Sequence, residues 1–132
     1  MYEEIEHTAD LAIRVVSSNL PALLEEASRA VTNLSGIVLD DGHTIDESIT
    51  LKANDPETLL VSWLEELLFR IEVKNQAFYH YSITIENKYQ LHADVGTAPI
   101  RSIKRFLKAV TFHDLAIEQI EGGLETVIVF DV

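Results

Sequence analysis

The residues with chemistry to offer lie at opposite ends of the chain. Glu6-His7-Thr8-Ala9-Asp10 stands near the start, and Phe130-Asp131-Val132 closes it. His7 and Asp10 are three apart. In an extended strand an odd spacing sends two side chains to opposite faces, whereas a tight turn lets both aim at one point. Asp131 adds a carboxylate beside the terminal carboxylate of Val132, and two like charges so placed repel unless a cation lies between them. Oxygen donors of this kind suit a hard divalent ion. A calcium-like ion held by Asp10, Asp131 and the carboxylate of Val132 would resolve the repulsion, provided the first and last strands are neighbours. The spacing of His7 and Asp10 alone fits an Asx-type turn equally well.

A second group is basic. Arg101, Lys104, Arg105 and Lys108 fall at i, i+3, i+4 and i+7, one face of any helix formed there. Arg101 and Lys104 read as a solvated face. Lys108 stands where the segment enters a strand, placed to pair with an acidic site or to touch a phosphate. His113 has Asp114 or Asp94 as possible partners and reads as a polar strand residue. His43, His80 and His92 are isolated. No phosphate-binding loop, dinucleotide fingerprint or metalloprotease histidine pair occurs. No Ser-His-Asp set can be argued from this residue order. No nucleophile or general base stands beside the proposed ligands, which weighs against a small metal-dependent hydrolase.

The elements that must position these residues are legible in the hydrophobic periods. Tyr2 to Glu6 and Leu11 to Val16 read as strands joined by a turn at Thr8-Ala9-Asp10. Ser18-Asn19 offers an N-cap, with Pro21 in the first turn, to a helix whose apolar face is Leu20, Leu23, Leu24, Ala27, Ala30, Val31 and Leu34, and Gly36 ends it. Residues 39–46 read as a polar loop and Glu47 to Ala53 as a strand. Asp55-Pro56-Glu57 starts a second helix with Leu60, Trp63, Leu64, Leu67 and Ile71 on its core face. Phe78 to Glu86 and Tyr89 to Gly96 predict a hairpin turning at Asn87-Lys88. Pro99 to Phe106 is expected as a short helix or structured loop. Lys108 to Ile120 and Leu124 to Val132 are expected as two final strands. Two helices among mostly antiparallel strands predict an α+β, two-layer sandwich with the helices packed on the sheet.

Composition bounds the rest. A chain of 132 residues is expected to form one domain, residues 1–132, with a core of useful size. With no cysteine, thiolate metal sites, disulfides and thiol nucleophiles are excluded. The acidic start, Met1-Tyr2-Glu3-Glu4, lacks the pattern of a signal peptide, and no apolar run approaches the ~20 residues of a membrane span, so the cytoplasm is the expected location. The net charge is −12, of which residues 1–66 hold −11. Such a surface argues against tight direct RNA or DNA binding, which needs Lys and Arg to displace counterions. It suits a basic protein partner, and equally a domain kept soluble by its charge.

Four blocks in chain order resemble one family, the archeases. They are Tyr2 to Asp10; Leu59-Leu60 with Trp63-Leu64-Glu65-Glu66-Leu67-Leu68-Phe69; Lys108-Ala109-Val110-Thr111-Phe112-His113; and Val129-Phe130-Asp131-Val132. The resemblance runs nearly end to end. It implies an accessory protein rather than an enzyme: an activator of the RtcB-type RNA ligase of tRNA splicing and RNA repair. That ligase uses GTP and manganese to join a 3′-phosphate or 2′,3′-cyclic phosphate end to a 5′-hydroxyl end. The activator speeds guanylylation of the ligase's histidine and supports multiple turnover through a transient contact. The resemblance also implies calcium at Asp10, Asp131 and Val132, a part in activation for Lys108, and a site-shaping part for His7. A rival role proposed for such proteins is that of a chaperone-like modulator of an RNA-modifying methyltransferase, which needs no metal site. Two features depart from the family pattern. Glu65 stands where Asn is common, and Gly96 to Arg101 is short and lacks the family's acidic and histidine residues.

Overall fold

Leu11, Ile13 and Val15 bury one face of a strand, and Thr126, Ile128 and Phe130 bury the matching face of another. The two are hydrogen-bonded neighbours from opposite ends of the chain. The computed structural model describes residues 1–5 and 10–132. The first sheet contains β1 (Tyr2–Ile5), β2 (Leu11–Ser17), β7 (Ala109–Thr111), β8 (Glu118–Ile120) and β9 (Gly123–Asp131). Its order is β1-β2-β9-β7, with β8 also on β9. The second sheet contains β3 (Val38–Leu39), β4 (Ile45–Lys52), β5 (Gln76–Glu86) and β6 (Gln90–Ser102). The long β6 pairs with the other three. Every strand pair is antiparallel among the described residues.

Two helices, α1 (Leu20–Leu34) and α2 (Pro56–Phe69), pack on these sheets, giving the expected α+β class. Both start as the sequence predicts. The Asn19 side chain accepts from the Ala22 N–H at 2.9 Å, and Asp55 accepts from Thr58 N–H at 2.7 Å. At the other end of α1, Gly36 adopts φ +67, a left-handed conformation that a Cβ disfavours. The helices meet where the Trp63 indole N–H donates to Ser28 Oγ at 2.6 Å and lies 3.2 Å from the Leu24 carbonyl. The same indole stacks on Phe78 of β5 at 5.4 Å. A wholly buried tryptophan thus ties both helices to the second sheet with its polar handle satisfied. No helix among the described residues is long and apolar enough to cross a membrane.

Three expectations from sequence need correction. Residues 99–106 are not helical, because β6 runs on to Ser102 and an irregular segment follows. Pro99 stands opposite Gln76, the first residue of β5, where a missing N–H costs the ladder little. Consequently Arg101, Lys104, Arg105 and Lys108 share no helix face. Instead, the backbone N–H groups of Lys104 and Arg105 donate to the Ser35 carbonyl, and the Arg105 guanidinium donates to the Leu34 carbonyl at 2.9 Å. These residues close the carboxyl end of α1, whose terminal carbonyls lack helical donors. The expected strand from Lys108 to Ile120 is two short strands, β7 and β8, separated by a turn in which Asp114 has φ 55. The polar stretch 39–46 is mostly loop, but β4 begins at Ile45, ahead of the expected Glu47.

Candidate functional site

The site is built by β9, which has β2 on one side and β7 on the other. Leu11, the first residue of β2, pairs with Phe130, so Asp10 just before β2 and Asp131 just after Phe130 lie at the same end of the sheet. On the other side Asp131 pairs with Ala109, and the Lys108 N–H donates to the Asp131 carbonyl at 2.8 Å. Asp10, Lys108, Asp131 and Val132 therefore meet at one end of the first sheet, although 121 positions separate the two aspartates.

Alternation decides which way they face. Phe130 is fully buried in the core, so its neighbour Asp131 points to the opposite face and is exposed. Leu107 is buried and pins the segment that carries the exposed Lys108. His7 lies outside the described residues. The donors here are hard oxygens, two side-chain carboxylates with the carboxylate of Val132 beside them, and calcium takes six to eight such ligands, water among them. Among the described residues, no three His, Asp or Glu side chains group closely enough to hold a metal on their own.

A second acidic place went unnoticed in the sequence. A groove of ≈ 390 Å³ on the outer face of the second sheet is lined by Asp46, Glu47, Ser48, His80, Asp94 and Val95. Two of its three acids have partners within the fold. Glu47 accepts from the Arg70 guanidinium at 2.8 Å and from the Thr97 hydroxyl at 3.3 Å. Those bonds, chiefly Arg70's, hold the Glu47 carboxyl below the usual carboxylate range. Asp94 accepts from Ser48 at 2.9 Å and lies 3.5 Å from His92. His113 pairs with Asp114 at 3.1 Å rather than with Asp94. His43 lies 3.7 Å from Asp40, in an exposed loop. The signal for this groove was the alternation of polar residues in β4, β5 and β6, which reads as an ordinary solvent face until the strands are paired.

Comparison with known proteins places the chain in a family. The model of the Archease protein family (MTH1598/TM1083) matches residues 2–132. The protein archease of Methanopyrus kandleri is 34% identical over 130 residues, covering 92% of this chain and 91% of its own length. That of Methanosarcina acetivorans is 29% identical over 142 residues, covering 99% and 95%. The crystal structure of a Thermotoga maritima archease, described as a possible chaperone, superposes with a TM-score of 0.76 at 29% identity, covering 100% of this chain and 98% of that one. With a family match over residues 2–132 and relatives alike over nearly their whole lengths, this chain belongs to the archease family.

Proposed function

We propose that this protein is an accessory activator of an RtcB-type RNA ligase, acting in tRNA splicing or RNA repair in the cytoplasm and promoting guanylylation and multiple turnover of its partner. The observation that supports this reading most is the joint pairing of β9 with β2 and β7. It gathers Asp10, Asp131 and Lys108, residues of three separate family-like blocks, at one exposed sheet end.

In this reading Asp10, Asp131 and the carboxylate of Val132 hold a divalent cation, Ca²⁺, and His7 shapes the turn beside them. Bound there, the cation would neutralise the clustered carboxylates and fix their geometry. Lys108, tied by its backbone N–H to the Asp131 carbonyl, carries its positive charge on a side chain that starts beside that group. Its ammonium would orient an anionic oxygen of the ligase's bound GTP, or the phosphorus centre that the ligase histidine attacks. Positioning and charge stabilisation are what nucleotidyl transfer chiefly requires. The ligase supplies GTP, manganese and the nucleophile. This chain supplies a docked, charged surface, and its acidic exterior favours transient protein contact over RNA binding.

The test is multiple-turnover RNA joining by the cognate ligase, with this protein at substoichiometric amounts. Acceleration is expected, and Asp10→Ala should abolish it while circular dichroism stays unchanged. Full stimulation by a folded Asp10→Ala protein would sink the proposal. The second reading, a chaperone-like modulator of an RNA-modifying methyltransferase, draws on the description of the Thermotoga maritima relative as a possible chaperone. It predicts suppression of partner aggregation that is indifferent to calcium and to Lys108.

A further inference from the structure

Two phenylalanines flank Lys108 in the chain, Phe106 at 51% exposure and Phe112 at 55%. An exposed phenylalanine contributes little to folding and costs solubility, so a pair of them beside a functional candidate calls for an explanation. Neither sits on loose backbone. Ahead of Phe106, the N–H groups of Lys104 and Arg105 are bonded to Ser35, and after it Leu107 is buried. Phe112 opens a turn closed by the Leu115 N–H, which donates to the Phe112 carbonyl at 3.1 Å. That turn is tied down twice more. The Ile117 N–H donates to Glu57 at the start of α2 at 2.8 Å, and the Thr126 hydroxyl of β9 donates to the Ala116 carbonyl at 2.9 Å. Anchored chain thus presents both rings outward.

The cations nearby divide in a telling way. Arg105 is engaged by Leu34 and lies 3.7 Å from Glu4, and Arg101 lies 3.7 Å from Asp40. Lys104 packs its stem over Gly36. Among the described residues, no acid pairs with Lys108. The edge of the first sheet along β7 therefore presents an apolar ring, an uncommitted cation, and a second apolar ring. It has the make-up of a binding hot spot, in which aromatic anchors exclude water around one charged contact. Holding the anchors on fixed backbone lowers the entropy lost on docking.

We infer that Phe106 and Phe112 are the docking anchors of this protein. They seat in two apolar pockets of the partner ligase that flank an anionic group of the ligase or of its bound nucleotide, and Lys108 meets that group. The inference rests on the activator reading above and assigns the surface by which the partner is held. Charge complementarity selects this partner: Lys108, which no acid among the described residues pairs with, lies between the anchors in a chain of net charge −12. A second copy of this chain would bring like charge to the same place.

The experiment compares wild type with Phe106→Ala, Phe112→Ala, the double variant, and Phe69→Ala as a control. Phe69 is an exposed phenylalanine at the end of α2. Each is titrated into the ligase, and the concentration giving half-maximal stimulation is read, together with direct binding by surface plasmon resonance. Thermal melting confirms that each variant folds. The expected result is a rise of about tenfold in the half-maximal concentration for either single variant, more for the double, with the plateau retained. Phe69→Ala should behave as wild type. Half-maximal concentrations for all variants within twofold of wild type, while wild type stimulates, would overturn the docking surface alone. A wild type that neither binds nor stimulates would remove the activator reading and this inference with it. Conservative Phe112→Leu, which restores apolar bulk, should recover most of the binding. A variant that fails to recover would show that loss of bulk is not the cause.

Discussion

Two regions of this molecule are rich in carboxylates, and they are built in opposite ways. On the second sheet, Glu47 is drawn into the fold. The Arg70 guanidinium, only 5% exposed, bonds to both Glu47 and Glu66 and lies 5.5 Å from the Phe78 ring centre. That arginine occupies the first position of a π-helical turn, Arg70–Lys74, that extends α2. A wider turn of this kind re-aims side chains that a continuing α-helix would send elsewhere. On the first sheet, Asp10 and Asp131 gather at a strand end whose inner face is core and whose outer face is solvent. The lesson is that an abundance of acid does not make a site. Where a buried cation already answers the acids, they hold the fold together. Where strand order brings them to the end of a sheet, as with Asp10 and Asp131, no buried arginine is set between them.

The sharpest way to break this comparison is Arg70→Ala. It leaves two carboxylates facing each other and removes the contact with Phe78, so it should cost about 3 kcal/mol of stability. Urea denaturation measures that loss. A cost below about 0.5 kcal/mol would mean that Arg70 does not bind the second-sheet acids into the fold.

Calcium should produce the next largest effect. At a hundred times its dissociation constant it should stabilise wild type by about 2.7 kcal/mol, as expected for a ligand bound only by the folded state. Asp131→Asn should remove this stabilisation, read as the shift in melting temperature with and without calcium. Without calcium, the same variant should melt within a few degrees of wild type.

Acid titration separates the regions further. The Glu47 carboxyl titrates below its ordinary value of 4.5 because Arg70 donates to its charged form. A depressed carboxyl stabilises the fold above its unfolded pKa, and that contribution fades as the pH falls through the folded value. Glu47→Gln should therefore lose about 1 kcal/mol at neutral pH and show a flatter stability curve between about pH 5 and pH 3. An unaltered slope would count against the Arg70 bond as the cause. Asp94→Asn should have the smallest effect, within about 0.5 kcal/mol, because its contacts with Ser48 and His92 are exposed. It should leave the calcium shift intact. If Asp94→Asn abolished that shift, the cation would belong to the groove and not to the sheet end.

The sequence by itself determined the local elements that announce themselves by period and punctuation. Asn19 and Asp55 cap the helices, Asn87-Lys88 turns the hairpin with both residues at positive φ, and Leu11, Ile13 and Val15 alternate into the core. Each rests on interactions within a few residues, so each is written in adjacent letters. The sequence also supplied the candidate site as a set of residues, through four family-like blocks, without showing that they meet. Tertiary structure decided what adjacent letters could not. The spacing of Arg101, Lys104, Arg105 and Lys108 suits a helix, yet the segment is fixed instead by carbonyls of α1 about 70 positions earlier, as in the bond from Arg105 to Leu34. The break between β7 and β8 follows from bonds to Glu57 and β9, which local propensity does not record. Asp10, Asp131 and Lys108 come to the same sheet end only because β9 enters the sheet between β2 and β7. Strand order is set by burying the faces of distant segments together, and that is a property of the packed chain as a whole.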